Sequence, residues 1–364
     1  MCRFAVNRYI IPACSYCNSI IRINHNRYSN NLIWFLTNQK PIISIYNAAM
    51  RANLTIGFAS DQAGAIGMPI NSMIFGPNAT RNVPRATAIS QQFIHNKLHQ
   101  MLIEEYIKMQ FTQIRNATVK INYAGKKILI DPWLAEKGAV PGFGGTINDH
   151  IRNPTAELPM PVSEIVDVDA VILTHDHPDH WDDAAKNAIP KDIPFFVQHE
   201  KDAQAVTSAG FSNVRVLNKI NDYEGITLIK TPGQHGRPKV LEDMKELLGD
   251  VSGIVFKHPH EKTFYIAGDT VWCQAVEDSL KKYHPDIVVL NSCDAKVTGD
   301  ESIIMGKQDI YEVYKAAPEA TIIASHMEAV NHATLSRKEL REFLSEKEMM
   351  QRVLVPEDGE SYTF

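Results

Sequence analysis

Thr174-His175-Asp176-His177-Pro178-Asp179-His180 packs three imidazoles and two carboxylates into seven residues, and its reading decides the fold. It follows Asp169-Ala170-Val171-Ile172-Leu173, a short, apolar, β-branched run that predicts a buried strand. The cluster therefore sits on the loop leaving the strand's C-terminal end. His175 and His177, two residues apart, can converge on one cation, while Asp179 and His180, one turn further on, can serve a second beside it. Pro178 stiffens the turn between the pairs. A lone histidine beside a strand is ordinarily a core or surface residue. A cluster this dense, however, gathers charged and half-charged groups at one point, which is costly unless a cation binds there. The spacing reads as a metal site.

The same layout, a polar residue ending a short apolar strand, recurs three times. Ile226–Lys230 leads into Thr231-Pro232-Gly233-Gln234-His235-Gly236, Thr263–Ala267 into Gly268-Asp269-Thr270, and Ala320–Ala324 into Ser325-His326. Together with the first run, these resemble the H-x-H-x-D-H signature and later ligands of the metallo-β-lactamase-fold hydrolases. That resemblance, which covers roughly residues 110 to 364, implies an α/β (α+β) fold, an αββα sandwich of two central mixed sheets flanked by helices. It also implies that His175, His177 and His235 hold one metal, that Asp179, His180 and His326 hold the second, and that Asp269 bridges them. Within the superfamily, the Asn122–Pro132 opening looks most like the broad bacterial branch that includes ascorbate-phosphate lactonase-like proteins.

Two departures narrow the choice. The best-known secreted zinc β-lactamases use a cysteine where this chain has Asp269, and Cys273 and Cys293 lie outside the matched motifs, so antibiotic hydrolysis is disfavoured. Oxygen-reducing diiron members carry a glutamate where this chain has His177, which argues against redox chemistry. His332 lies six residues beyond His326. His326 is preferred as the ligand because it directly ends the strand, which leaves His332 as either a substrate-side group or an ordinary surface histidine.

With 364 residues, 44% of them hydrophobic, the chain can bury a sizeable core. No apolar run approaches the roughly 20 residues needed to span a bilayer, and five cysteines point to a reducing, cytoplasmic compartment rather than a disulfide framework. The net charge of -5 hides a seam near residue 104, with +8 over residues 1–103 and -13 over the remainder. Residues 1–108 are expected to form a basic, poorly ordered or non-catalytic extension, and 109–364 the catalytic domain. The extension reads as an organellar transit peptide, as an anion-binding arm, or as sequence upstream of a start at Met109, the last strengthened because Met109-Gln110-Phe111-Thr112-Gln113-Ile114 opens directly into the first hairpin. Cys14 and Cys17 form a lone C-x-x-C pair that could bind zinc only with Cys2 and His25.

After the seam, Phe111–Asn116, Thr118–Asn122 and Lys127–Ile130 predict a meander of strands. Helical periodicity appears at Ile89–Ile107, Glu200–Ala209, Val271–Lys282, Asp309–Ala316 and Arg337–Glu346. Asn213–Leu217, Gly253–Lys257, Asp286–Leu290 and Val353–Val355 complete the expected strands. The irregular stretch Ala135–Ile165, rich in glycine and proline, is expected to cover the substrate. Trp133 and Phe143 either supply an apolar wall there or pack the loop down.

Two divalent transition-metal ions are expected as cofactors, with zinc first and manganese or iron open, since imidazole and carboxylate donors suit all three. Two cations sharing a water would lower its pKa and polarise the substrate oxygen, with Asp179 as ligand and catalytic proton acceptor. The leading reading is a lactonase-like hydrolase of a small molecule. A phosphodiesterase or nuclease is second, disfavoured because the catalytic part is acidic and polynucleotide binding needs a basic track. A non-catalytic metal-binding scaffold is third. The expected partner is a small-molecule substrate, without nucleic acid or membrane, and self-association is open.

Overall fold

The computed structural model describes residues 108–297 and 300–364, together with the backbone of five strands before residue 61. The chain divides into two units, Met1–Gln100 and Met101–Phe364. In the first, β1 (Arg3–Val6) pairs antiparallel with β2 (Tyr9–Pro12), and β3 (Ser19–Asn24) lies between β4 (Asn31–Phe35) and β5 (Thr55–Ser60). The expected helix at Ile89–Ile107 and the residues Cys2, Cys14, Cys17 and His25 fall outside the described residues, apart from the strands named above.

The second unit carries two seven-stranded mixed sheets. One contains β6 (Gln110–Arg115), β7 (Thr118–Tyr123), β8 (Lys126–Ile130), β9 (Ala170–Leu173), β10 (Phe195–Val197) and β11 (Val214–Val216). The other contains β12 (Asn221–Tyr223), β13 (Ile226–Pro232), β14 (Ser252–Lys257), β15 (Phe264–Ile266), β16 (Ile287–Asn291), β17 (Thr321–Ser325) and β18 (Val353–Leu354). The chain's last strand, β19 (Ser361–Thr363), returns to close the first sheet against β6.

Strand side chains alternate between two apolar environments, so both faces of each sheet are covered. Ile128 and Ile130 of β8, with Ala170 and Ile172 of β9, meet Ile254, Phe264, Ile287 and Ile323 of the other sheet in a shared core. Their neighbours Leu129, Val171 and Leu173 pack outward under Ala185 and Val206. On the opposite side, Tyr265, Val288, Leu290 and Ile322 pack under Val276, Leu280, Val313 and Leu340. These helical residues come from α2 (Asp183–Ala188) and α3 (Glu200–Ser208) on one side and from α5 (Gln274–Tyr283), α6 (Lys307–Ala316) and α7 (Arg337–Glu346) on the other. A helix layer, two sheets and a second helix layer result, as the resemblance implied.

Three helices lie outside the expected set: α2, the single-turn α1 (Val162–Ile165) inside the long loop, and α4 (Pro238–Leu248) just after His235. So do β10, β12 and β19, each of three residues, too short to show a period. Among the described residues no helix is long and apolar enough to cross a membrane.

Topology brings the strand ends together. β8 and β9 are parallel, and β6 runs the same way because two antiparallel steps separate it from β8. In the other sheet β15, β16 and β17 are parallel, and two antiparallel steps give β13 the same direction. The segments after β6, β8 and β9 thus leave one rim of their sheet, as those after β13, β15, β16 and β17 leave one rim of theirs. Crevices at such carboxyl ends are where open α/β sheets place ligands.

Candidate metal centre

The predicted ligands meet at these rims. Among the described residues, three groups of donors lie with their ligand atoms within 4.8 Å of one another: His175, His177 and His235; His175, His180 and Asp269; and Asp179, His180 and His326. Asp269 stands between them. Its Oδ2 lies 3.2 Å from His180 Nε2, 3.7 Å from His235 Nε2 and 3.8 Å from His175 Nε2, and its Oδ1 lies 3.8 Å from His326 Nε2. Asp179 Oδ2 lies 3.2 Å from His326 Nε2 and 3.9 Å from His180 Nε2.

Each ring is turned by what its other nitrogen meets. His235 Nδ1 is 2.9 Å from the Ile303 carbonyl, which only accepts, so Nδ1 donates and Nε2 is left bare toward the centre. His180 Nδ1 sits 3.0 Å from Asp131 Oδ2. His177 is reversed: its Nε2 lies 3.3 Å from the Leu247 carbonyl at the end of α4, and Nδ1 approaches His175 Nε2 at 3.0 Å. Asp131 also accepts from Thr174 N–H and Thr174 Oγ1, both at 2.7 Å, tying the end of β8 to the start of the histidine run.

The backbone bends sharply at these points. Asn116, Asp131 and His326 adopt φ of 54°, 48° and 62°, left-handed conformations uncommon outside glycine and concentrated at functional sites. Gly268 (φ 72°) is required before Asp269, because a Cβ there would fall 2.6 Å from the Ser252 carbonyl oxygen.

Electrostatics divide the centre. Burial, reinforced by the neighbouring rings of His180 and His177, pushes His175 well below the ordinary histidine range. Burial also lowers His235 to about 4, against the pull of Asp269. At His180 burial again disfavours the charge, but Asp269, Asp131 and Asp179 together overcome it and raise the ring to about 10. His326 is raised likewise, chiefly by Asp269 against burial. Despite burial, Asp179 and Asp269 are held well below the usual carboxylate range by His180 and His326. These carboxylates demand positive charge, which protons on two imidazoles or bound cations supply. His180 Nε2, buried without a hydrogen-bond partner and aimed between two carboxylates, offers a donor atom to a cation. The donor set fits divalent metal.

His332 is buried rather than an ordinary surface histidine. Burial lowers its pKa to about 4, and its electrostatic neighbours are Asp179, His326, Asp269 and His177. Phe143, half-buried, meets the His332 ring edge-on at 5.7 Å. Trp133 does not form an open wall. Its ring is 1% exposed in the core, with the Arg115 guanidinium 5.1 Å over it, so it packs the root of the loop. The rest of the loop is pinned through Asn331, whose Oδ1 accepts from Phe143 N–H (3.2 Å) and Asn153 Nδ2 (2.7 Å). Its Nδ2 donates to Thr146 Oγ1 and the Ile147 carbonyl, both at 2.9 Å.

Four contributors were not expected from the sequence. Asn291 Nδ2 donates to Asp269 Oδ1 at 2.6 Å. Cys293, set aside as outside the motifs, places its Sγ 3.5 Å from His326 Nδ1. Asn116 touches Asp179 and His326, and Asn331 holds the loop. Asn116 and Asn291 follow or end strands at the rims, the same signal that marked the histidines.

Residues 126–327 match the family described as a beta-lactamase superfamily domain. Over 257 residues, 70% of this chain and 100% of the relative, the sequence is 56% identical to the UPF0173 protein YddR of Bacillus subtilis (strain 168). The structure is similar to that of an isothiocyanate hydrolase from Delia radicum gut bacteria, with TM-score 0.69 and 52% identity, covering 70% of this chain and 99% of that one. It is also similar to a "possible metal-dependent hydrolase" from Veillonella parvula DSM 2008, with TM-score 0.70 and 43% identity, covering 71% and 100%. The chain belongs to the beta-lactamase superfamily, in its metallo-β-lactamase fold. It is a metal-dependent hydrolase.

Proposed function

We propose that the chain hydrolyses a small molecule with an electrophilic carbon, an isothiocyanate in the first instance, at a centre of two divalent cations. The observation that carries the hydrolytic part is the pair of donor groups, His175/His177/His235 and Asp179/His180/His326, on either side of Asp269. The substrate class is supported by the 52% identical isothiocyanate hydrolase. The lactonase-like expectation has no such support, and the non-catalytic scaffold gives way to the enzyme family.

Held by these residues, the cations would acidify the reacting water and stabilise negative charge developing on the substrate. Asp179, at the junction of His180 and His326, takes a proton from the water as its oxygen bonds to the central carbon of N=C=S, and returns it to the nitrogen. The thiocarbamic acid so formed, R–NH–C(=S)–OH, breaks its C–N bond, its O–H proton passes to nitrogen, and amine and carbonyl sulfide leave. No electrons are exchanged. His332, a neutral ring near pH 7, and Phe143 provide the substrate side. The donors include no thiolate, a set that suits zinc, manganese or iron.

The test is a panel of isothiocyanates, lactones and phosphodiesters on metal-loaded protein. Amine release from isothiocyanates with the highest kcat/KM of the panel is expected; turnover confined to another class would overturn the substrate assignment. Asp179→Ala should cost roughly 10²–10⁴ in kcat, the range for a positioned acid–base group, and more than it costs in bound metal.

A further inference from the structure

We infer that Asn116 is a positioning residue for Asp179, acting through that carboxylate on the hydrolytic step; the inference rests on the metallohydrolase reading above but not on its substrate. Asn116 lies in the tight turn between β6 and β7, fully buried. Its main-chain carbonyl accepts from Gln113 Nε2 (2.8 Å) and His326 N–H (3.0 Å), so the residue is fixed to the segment leaving β17 on the opposite sheet.

The side chain then reaches the centre. Asn116 Nδ2 lies 3.2 Å from Asp179 Oδ2, 3.2 Å from the Asp179 carbonyl and 3.1 Å from His326 Nε2. An amide nitrogen has two hydrogens, and Asp179 offers two oxygens within 3.2 Å, one for each. His326 Nε2, whether it carries a proton or is a metal ligand, does not compete for them. Bonding one residue at both its main chain and its carboxylate fixes the side-chain torsions between them. Asp179 Oδ2 is thereby held toward His180 and His326. The left-handed φ of 54° explains the residue type, because asparagine tolerates that conformation and supplies the donor. A carboxylate here would repel Asp179.

The test uses the full chain with saturating metal, assayed on whichever panel compound the wild type turns over. Asn116→Ala removes the amide but strains the backbone; Asn116→Gly removes it without strain. Both should retain the wild-type metal stoichiometry at saturation and a KM within about twofold, while kcat falls roughly 10–100-fold, the usual cost of losing a group that orients a ligand. Asn116→Asp should lose at least as much. Wild-type kcat in Asn116→Gly would reduce the residue to a backbone role and overturn the inference. Loss of a cation at saturating metal in both the Ala and Gly variants would make Asn116 a ligand and also overturn it. If the wild type hydrolyses a lactone rather than an isothiocyanate, the substrate assignment fails while this comparison still stands.

Discussion

His175, His177 and His235 would hold their half of the proposed centre with three imidazoles, one of them half-buried against the end of α4. Asp179, His180 and His326 would hold theirs with a carboxylate and two rings that are all buried. Burial and neighbouring rings keep His175 and His235 neutral, so these two rings are ready to ligate without releasing protons. In the second group the carboxylates outweigh burial and raise His180 and His326, so a cation there must displace positive charge already drawn in. Cation binding is therefore proton-coupled at His180 and His326 and nearly proton-free at His175 and His235.

The change expected to break this division most completely is Asp269→Ala, because that carboxylate alone faces rings of both groups. Metal analysis of the purified variant should find neither cation retained, with turnover lost; full stoichiometry would remove Asp269 from the bridging position. A finer cut is His177→Ala against His326→Ala. The first should lose one cation from the more open half and the second one from the buried half, and cobalt-substituted spectra of the two variants should differ accordingly. Identical spectra would mean that the halves are not independent.

Acid should reach the imidazole half last, because His175 and His235 stay neutral to lower pH than His180 and His326. His235 in the fold titrates at about 4, below the ordinary 6.5. As pH falls, an unfolded chain takes up this proton before the folded one does. The contribution of His235 to stability is thus present above about 6.5 and lost progressively as pH falls through the folded value. Because a protonated ring cannot ligate, a cation held by His235 should stay bound until the pH nears the folded value of about 4, below the range in which the His180 and His326 half weakens. Equilibrium dialysis from pH 7 downward checks this, and loss of both cations together well above pH 4 would contradict it.

A smaller effect is expected at the loop. Asn331→Ala removes its hydrogen bonds to Phe143, Asn153, Thr146 and Ile147 while leaving every proposed ligand in place. KM should rise by about tenfold, on the order of 1.4 kcal/mol of lost binding, and the ranking of short against bulky isothiocyanates should change, with metal content constant. Unchanged kinetics would show that the loop only covers core. The smallest effect is expected from starting the chain at Met109. Met109 is fully buried, its carbonyl accepts from Phe364 N–H, and the YddR relative aligns over its whole length to 70% of this chain. Such a protein should express, bind metal and turn over as the full chain does; aggregation or inactivity would give residues 1–108 a structural role.

The sequence by itself determined the strands and the ligand candidates, because both are local, and through the motif those candidates form it pointed to the sandwich. Short, continuous, β-branched apolar runs such as Ile287–Leu290 and Thr321–Ala324 read as buried strands, and the candidate histidines and aspartates lie in the segments that leave such strands. Only the tertiary structure decided which asparagines matter. Asn116, Asn291 and Asn331 are unremarkable in a linear reading, since asparagine is common in turns, and they acquire roles through partners 22 to 210 residues away. The same holds for Trp133, whose place in the core depends on Arg115 lying over it, and for His332, whose burial depends on a loop that Asn331 pins from another part of the chain. Strand direction explains the difference. Local pattern marks the end of a strand, but whether that end faces the centre or the opposite rim depends on how many antiparallel steps the sheet inserts before it.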